Sequence, residues 1–371
     1  MTTVTHTDRL PMGRNSRWMV TVLIGVMLTL PFGLLGQVAT SREAAAAPAP
    51  PPYVLSNYVE SLNYSQWNSW GCAQAEYSAG QHVSSISLVL DFGNAIDSSG
   101  RYGTSLANTS TFAQWDSGTS SGIRFLIASF LTGYWNCHST GTYGTAPFIT
   151  LIVGIASSNT NGLADPTNAD WMAEVIAAMN SWISGSGLGG VEYVEGGMDI
   201  EMEYAAYSKV VAYEKIVLAG YCNDVGQCSG PIPVNDFGEA NCSESSYNAN
   251  SACGSYGWTQ GEVLDVSYGE AYASPLPLIF NSVGANATQW YWISKGSIQT
   301  GYGPLYFDAE MTQHTACSQV GVGNCSGTDN LPGTGWTQLY NAIYNDVNTR
   351  PGVTGGWLQH SDDIRYLPYP Y

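Results

Sequence analysis

Residues 195–204 read Glu195-Gly196-Gly197-Met198-Asp199-Ile200-Glu201-Met202-Glu203-Tyr204. Apolar and acidic residues alternate from Met198 onward, the period of a half-buried strand. The pattern predicts a strand over Gly197–Glu203. Alternate side chains of a strand share a face. Asp199, Glu201 and Glu203 therefore share one face, and Ile200, Met202 and Tyr204 the other. The apolar face suits a covering layer of helices. The acidic face must then point into an enclosed interior or its mouth. Burying three unpaired carboxylates for structure alone is costly. Like charges this close cannot all stay ionised, so at least one pKa should rise.

Working outward from this strand, short apolar runs alternate with helical patterns. The other strand candidates are Tyr53–Val59, Ile86–Asp91, Phe148–Ala156, Ile232–Asp236, Leu276–Asn281, Leu305–Glu310 and Gly355–Gln359. Between them, Asn168–Ser184 places Trp171, Val175, Met179, Trp182 and Ile183 on one helical face. Thr259 with Glu262 makes a capping box that opens a helix running to Tyr268. Gly-Trp-Thr-Gln occurs at Gly257 and again at Gly335, each where a helix is expected to start. Lys215–Gly220 reads as the end of a helix, because too few residues follow Glu203 for a full crossover. Such an alternation predicts an α/β fold, a single (β/α)8 TIM-type barrel with disulfide-stapled loops.

The 371 residues carry 11 Lys plus Arg against 29 Asp plus Glu, a net charge of −18. That balance argues against binding nucleic acid or anionic lipid. Hydrophobic residues make up 44%, too many for a disordered chain. At the amino end, Arg9, Arg14 and Arg17 precede the apolar stretch Trp18–Leu35, then the Ala44–Ala47 run and prolines to Pro52. This is the order of a secretory signal peptide. The expected division is residues 1–47 as signal, 48–52 as a Pro-rich linker and 53–371 as the barrel. An uncleaved anchor is the alternative. All eight Cys lie beyond that leader, which favours disulfides in an exported protein. Short spacings pair Cys222 with Cys228, Cys242 with Cys253 and Cys317 with Cys325, leaving Cys72 for Cys137. The expected location is extracellular or the cell envelope, as a monomer.

A carboxyl held protonated near neutral pH is what general-acid cleavage of a glycosidic bond needs. Glu203 ends the predicted fourth strand, at the carboxyl end where barrel enzymes place their sites. Gly196-Gly197-Met198-Asp199-Ile200-Glu201-Met202-Glu203 resembles the strand-four signature D-G-x-D-x-D-x-E of family 18 glycoside hydrolases, the chitinases and relatives. The resemblance implies Glu203 as general acid, Glu201 at the position of the acid that orients an acetamido group, and Asp199 as its support. It departs at Gly196, where the family has Asp, and at Glu201, which is longer than the family's Asp and would crowd an acetamido group. Trp357 resembles the tryptophan on which that family rests its sugar. The Gly-Trp-Thr-Gln repeats, Pro275–Asn281 and Gly284–Trp290 resemble a group of secreted bacterial proteins without an assigned activity, which implies a fold and not a reaction.

Asp308 and Glu310 share a face of the predicted seventh strand. Glu203 with either would give the strand-four and strand-seven pair of retaining glycosidases. Asp91 and Asp236, each in an Asp-Phe-Gly triplet, end strands and either bind substrate or cap the following turn. Asn281, Trp357 and His360, at or just past predicted strand ends, complete the substrate-binding candidates. The function expected is hydrolysis of an extracellular polysaccharide by carboxylate acid–base catalysis, with no metal or cofactor assigned. A non-catalytic carbohydrate-binding barrel and a cation-binding structural barrel are the rivals, the latter because oxygen-only ligands suit Ca²⁺ or Mg²⁺. No G-x-S-x-G, H-E-x-x-H or phosphate-loop pattern supports a serine esterase, a zincin or a nucleotide enzyme.

Overall fold

Eight parallel strands, each preceding a helical segment or the chain end, organise the molecule. The computed structural model describes residues 47–116, 118, 121–138, 144–188, 191–220, 234–270, 272–321 and 325–367. Along the chain lie β1 (Tyr53–Val59), α1 (Trp67–Ala79), β2 (Ser85–Asp97), β3 (Tyr102–Ser105), β4 (Phe112–Gln114), α2 (Ile123–His138) and β5 (Phe148–Ala156). Then come α3 (Thr160–Leu163), α4 (Pro166–Ser186), β6 (Val191–Asp199), α5 (Tyr207–Leu218), β7 (Val234–Asp236), β8 (Ala252–Cys253), β9 (Trp258–Thr259) and α6 (Gln260–Leu264). A π-helical turn (Asp265–Gly269) leads to β10 (Ala273–Pro275), α7 (Ala285–Thr300), β11 (Ala309–Thr312), α8 (His314–Val320), α9 (Pro332–Tyr344) and β12 (His360–Leu367).

The parallel strands pair in the order β10-β7-β6-β5-β2-β1-β12-β11, while β3 and β4 extend the sheet antiparallel beside the long β2. The sheet is curled. Val89, Ile152, Phe237, Leu276, Leu278, Ala309, Met311 and Ile364, from distant strands, pack together on its inner face. The segment leaving β10 reaches β11: Leu278 bridges Met311 in parallel, and Met311 N donates to Pro277 O at 2.9 Å. On the outer face, alternate residues such as Leu88, Leu90, Val153 and Val194 join the large core under the helices. In α4, Asp165 caps Thr167 N and Pro166 stands at the first helical position, where its missing N–H costs nothing. Asn168 then locks the helix to the sheet, donating to Ile96 O and Gly103 O.

Three disulfides tie Cys72 to Cys137, Cys242 to Cys253 and Cys317 to Cys325, as the spacings predict. The first clips α1 to α2. The Cys222–Cys228 pairing and the signal segment lie outside the described residues. No helix among the described residues is long and apolar enough to cross a membrane.

Several expected boundaries move. The sixth strand occupies Val191–Asp199, so Glu201 and Glu203 fall beyond it, in a turn. Ile200 and Met202 still pack into the outer core, but Tyr204, expected on their face, is exposed. Gly355–Gln359 is a loop, and the last strand is His360–Leu367. The strand expected over Leu305–Glu310 is β11, which begins at Ala309 and runs to Thr312. Gly335 lies inside α9, one turn past its start, while Thr259 does cap α6 with the predicted box.

Candidate functional site

The carboxyl ends of the parallel strands carry a concentration of acids. Register fixes a first row: Asp91 of β2 pairs with Tyr58 of β1, and Tyr58 with Tyr366 of β12. The two tyrosine rings stack at 5.2 Å. Asp91 has the parity of Val89, and Asp199 that of Gly197, where a Cβ would strike the inner residues Ile152 and Phe237. Both carboxylates therefore face inward.

Beyond Asp199 the chain turns. Ser157 Oγ accepts from Glu201 N at 3.0 Å, and Tyr204 N donates back to Glu201 O. This turn folds Glu201 and Glu203 over the strand ends. Glu239 joins them from the far side. It follows Asp236-Phe237-Gly238, and Gly238 lies so close to the Ile200 backbone that a Cβ there would overlap it. The glycine thus brings Glu239 against the turn that holds Glu201 and Glu203.

Electrostatics follow from this crowding. Burial, then Glu203 and Asp91, pushes Glu201 up to about 7. Burial, then the neighbouring Glu203 and Glu201, pushes Glu239 up to about 8. Burial lifts Asp91 to about 6. Asp199 is also raised, by burial and then by Glu201, Asp91, Asp236 and Glu239. Its Oδ1 is buried without a hydrogen-bond partner. Two amides serve the pair: Asn241 Nδ2 donates to Glu203 Oε1, and Asn286 Nδ2 to Glu239 Oε2 at 3.4 Å.

Each Asp-Phe-Gly aspartate accepts from its own glycine, Asp91 at an irregularity inside β2, which runs on to Asp97, and Asp236 at the end of β7. Asp91 Oδ1 accepts from Gly93 N at 2.8 Å, and Asp236 Oδ1 from Gly238 N at 3.0 Å. Asp236 also accepts from Ser267 of the π-helical turn, so it faces the helices, and burial raises it to about 7. Asn281 lies beside the site, its N–H donating to Asn286 Oδ1 and its own Oδ1 accepting from Val283 N.

The remaining candidates stand elsewhere. Glu310 alternates with the inward Ala309 and Met311, so it points outward, where Oε1 accepts from Ser361 Oγ at 2.7 Å. A Cβ on Gly335 of α9 would lie 3.3 Å from that carboxyl, which places Glu310 under the helix. Asp308 precedes β11, at the amino end of the sheet. Neither meets Glu203. Trp357 also precedes its strand, its ring tilted against Tyr306 at 4.9 Å, at the end of the sheet away from the acids. His360, first in β12, reaches across the inner face to accept from Ser87 N at 3.1 Å, and burial lowers it to about 4. A groove of about 410 Å³ lined by Arg124, Phe125, Met179 and Trp182 lies in the helix layer, not at the acids.

No three mouth carboxylates converge tightly. Among the described residues one triad brings its ligand atoms within 4.8 Å, Cys72, Glu76 and Cys137, and both cysteines are already bonded to each other. The arrangement can keep a carboxyl protonated beside neighbouring charged ones. Glu239 is the site residue that the sequence reading missed. The only signal was its place three residues past Asp236, on a glycine turn. No protein-family model, no curated protein and no solved structure matches the chain.

Proposed function

We propose that the chain is an exported glycoside hydrolase acting on an extracellular polysaccharide, with Glu203 and Glu239 as its acid–base pair. The observation that carries the reading is the crowding of carboxyls at the strand ends, where Gly238 brings Glu239 against the turn holding Glu201 and Glu203, and burial with these neighbours pushes Glu239 up to about 8. A carboxyl raised above neutral among other carboxylates supplies a proton donor beside acceptors at neutral pH. That is the equipment for protonating a leaving oxygen and stabilising or attacking the sugar. Tyr58 and Tyr366, stacked beside Asp91, offer aromatic surface to a sugar ring.

A closed (β/α)8 barrel is the architecture that goes with this reading. The Leu278–Met311 bridge supports it, since it joins the two ends of the eight-strand path. The acids then occupy the carboxyl-end mouth, where barrel enzymes act. Three disulfides and the absence of a membrane-spanning helix among the described residues are compatible with an exported, soluble protein.

The test incubates wild type, Glu203→Gln and Glu239→Gln with chitin, peptidoglycan, xylan and β-glucans, and reads released fragments by mass spectrometry. Release by wild type, lost in both variants while the fold survives, is the expected result. Retention on a polymer with no release by any of the three would replace the hydrolase with a carbohydrate-binding barrel.

A further inference from the structure

The acids at the strand ends face one another without a counter-charge. The charges that act most strongly on Asp199, Glu201 and Glu239 are other carboxylates. The donors that reach Glu203, Glu239 and Asp91 are neutral: the amides of Asn241 and Asn286, and the N–H of Gly93. The ion pairs Arg124–Asp116, Lys215–Glu270 and Lys295–Asp346 use other acids. Two acceptors are left over. Asp199, only 7% exposed, faces inward from the last position of β6, and its Oδ1 is buried with no partner. Oε2 of Glu203 is likewise buried and unbonded. A buried acceptor without a donor is costly, and a ligand that carries donors into the mouth removes the cost.

Spacing decides what kind of donor fits. A bound Ca²⁺ gathers six to eight oxygens at about 2.3–2.6 Å. Among the described residues, no three mouth carboxylates bring their oxygens within 4.8 Å of one another. The acids are too spread for a bare ion and suit a ligand that distributes its N–H groups along an extended chain. A neutral hydroxyl would bond to Asp199 Oδ1 but leave the carboxylates repelling one another. An ammonium bonds to it and also supplies the opposite charge. The rim favours a sugar as the carrier. Tyr204, in the turn after Glu203, is about half exposed. Tyr256 is exposed too, and its N–H donates to Met202 O at 3.3 Å, which holds it beside that turn. Aromatic faces take both sugar rings and cations. We propose that the mouth takes a cationic glycan, a polymer of amino sugars with free ammonium groups, one of them seated on Asp199 Oδ1. This rests on the mouth being the glycan site described above, and it narrows the substrate.

The experiment titrates the full chain in a calorimeter with a glucosamine tetramer and, separately, with the N-acetylglucosamine tetramer of the same linkage, near neutral pH and at low salt. The sugars are recovered and weighed by mass spectrometry, so cleavage is read apart from binding. The amino tetramer should bind at least about tenfold tighter, the worth of one charge-assisted hydrogen bond. Salt should narrow the gap. Asp199→Asn keeps the shape and removes the charge, and should weaken the amino tetramer about tenfold while leaving the acetylated one nearly unchanged. Glu201→Gln should act in the same direction and serves if the first variant does not fold. Glu76→Gln removes an equal charge from the exposed face of α1 and should change neither affinity. Equal affinity for the two tetramers, or tighter binding of the acetylated one, overturns the proposal. Unchanged amino affinity in both mouth variants does the same. An equal loss in Glu76→Gln overturns it by reducing the attraction to net charge, and tighter binding of a lysine tetrapeptide by making the mouth a seat for basic peptides. Amino tetramer bound but never cleaved, with no release from any polymer, sinks the hydrolase and leaves the cation preference standing. Release from neutral polymers without that preference does the reverse.

Discussion

Two of the regions that bury acids treat them differently. On the outer side of β11 and β12, Asp363 accepts from Thr312 Oγ1 at 3.0 Å, Thr315 N at 3.0 Å and Thr315 Oγ1 at 2.5 Å. Glu310 beside it is bonded to Ser361. Hydroxyls and a helix start serve Asp363 and one oxygen of Glu310, whose Oε2 is buried without a partner. At the strand ends, Asp199, Glu201, Glu203 and Glu239 are set chiefly against one another. Acid density alone does not separate a site from a structural network. The separation lies in whether the fold supplies the partners. Where it does, the carboxylate is a cap. Where it does not, protonation is left near neutral and open to a ligand.

The sharpest way to break this comparison is to neutralise one acid in each region. Glu239→Gln should lower glycan hydrolysis by about 10²–10⁴-fold, the usual worth of a positioned general acid. Glu310→Gln should leave the rate within about twofold, because its carboxyl lies under α9 and burial already favours its neutral form. Rates on soluble oligosaccharides would decide. Equal losses would mean that the outer network, not the mouth, controls activity.

The reverse asymmetry is expected in stability. Asp363 serves the first turn of α8, whose preceding residue Gln313 makes no side-chain cap. Asp363→Ala leaves Thr315 N and Thr315 Oγ1 without their acceptor, while Thr312 Oγ1 keeps Asp362 O, at a cost of about 2 kcal/mol. Denaturant unfolding of the variant should show it, with the titration of Glu239 unmoved. Little change in midpoint denaturant concentration would make Asp363 a bystander.

How legible was this in the sequence? Phe148–Ala156 and Tyr53–Val59 are uninterrupted, largely apolar runs, and both strands fall where the pattern puts them. Cys242–Cys253 and Cys317–Cys325 followed from spacing, and Cys72–Cys137 from what they left. The acidic stretch misled by its own regularity. Asp-Ile-Glu-Met-Glu alternates like a strand, but after Asp199 the period continues without the ladder, because Ser157 and the Tyr204 bond fold it into a turn. Ile200 and Met202 still find the core, which is why the face assignment half survived. The last strand failed for the opposite reason. His360-Ser-Asp-Asp-Ile-Arg-Tyr-Leu367 is too polar to read as buried, and its partners, from Ser87 to Thr315, are remote in sequence. Glu239 was invisible for a similar reason. Its meaning depends on Gly238 touching Ile200, a tertiary contact no local pattern encodes.

A smaller effect should appear in pH. Glu201 and Glu239 have folded pKa values of about 7 and 8, above those of an unfolded carboxyl. Between the unfolded and folded values the native state binds more protons, so stability falls as pH rises through that window. The thermal midpoint should therefore be higher at pH 5 than at pH 8, with a gain on the order of 2 kcal/mol. Glu201→Gln should flatten that slope and stabilise the protein at pH 8, whereas Glu76→Gln, an exposed change on α1, should not. A midpoint that rises from pH 5 to 8 would show that the mouth acids are ionised without penalty.

The smallest effect separates the two ends of the sheet. By resemblance, Trp357 is a platform for sugar. By placement it precedes β12, while Tyr366 at the other end of that strand lies in register with Tyr58 among the acids. Parallel strands run one way, so these two aromatics sit at opposite ends of the same strand and cannot both touch a sugar bound at Glu239. Trp357→Ala should change hydrolysis by less than about twofold, losing its tilted contact with Tyr306. Tyr58→Leu should weaken substrate binding more, because it removes one of two stacked rings beside Asp91. Raised KM in Trp357→Ala with no change in Tyr58→Leu would transfer the binding groove to the amino ends of the strands. It would also break the link between acid crowding and function on which the comparison of the two acidic regions depends.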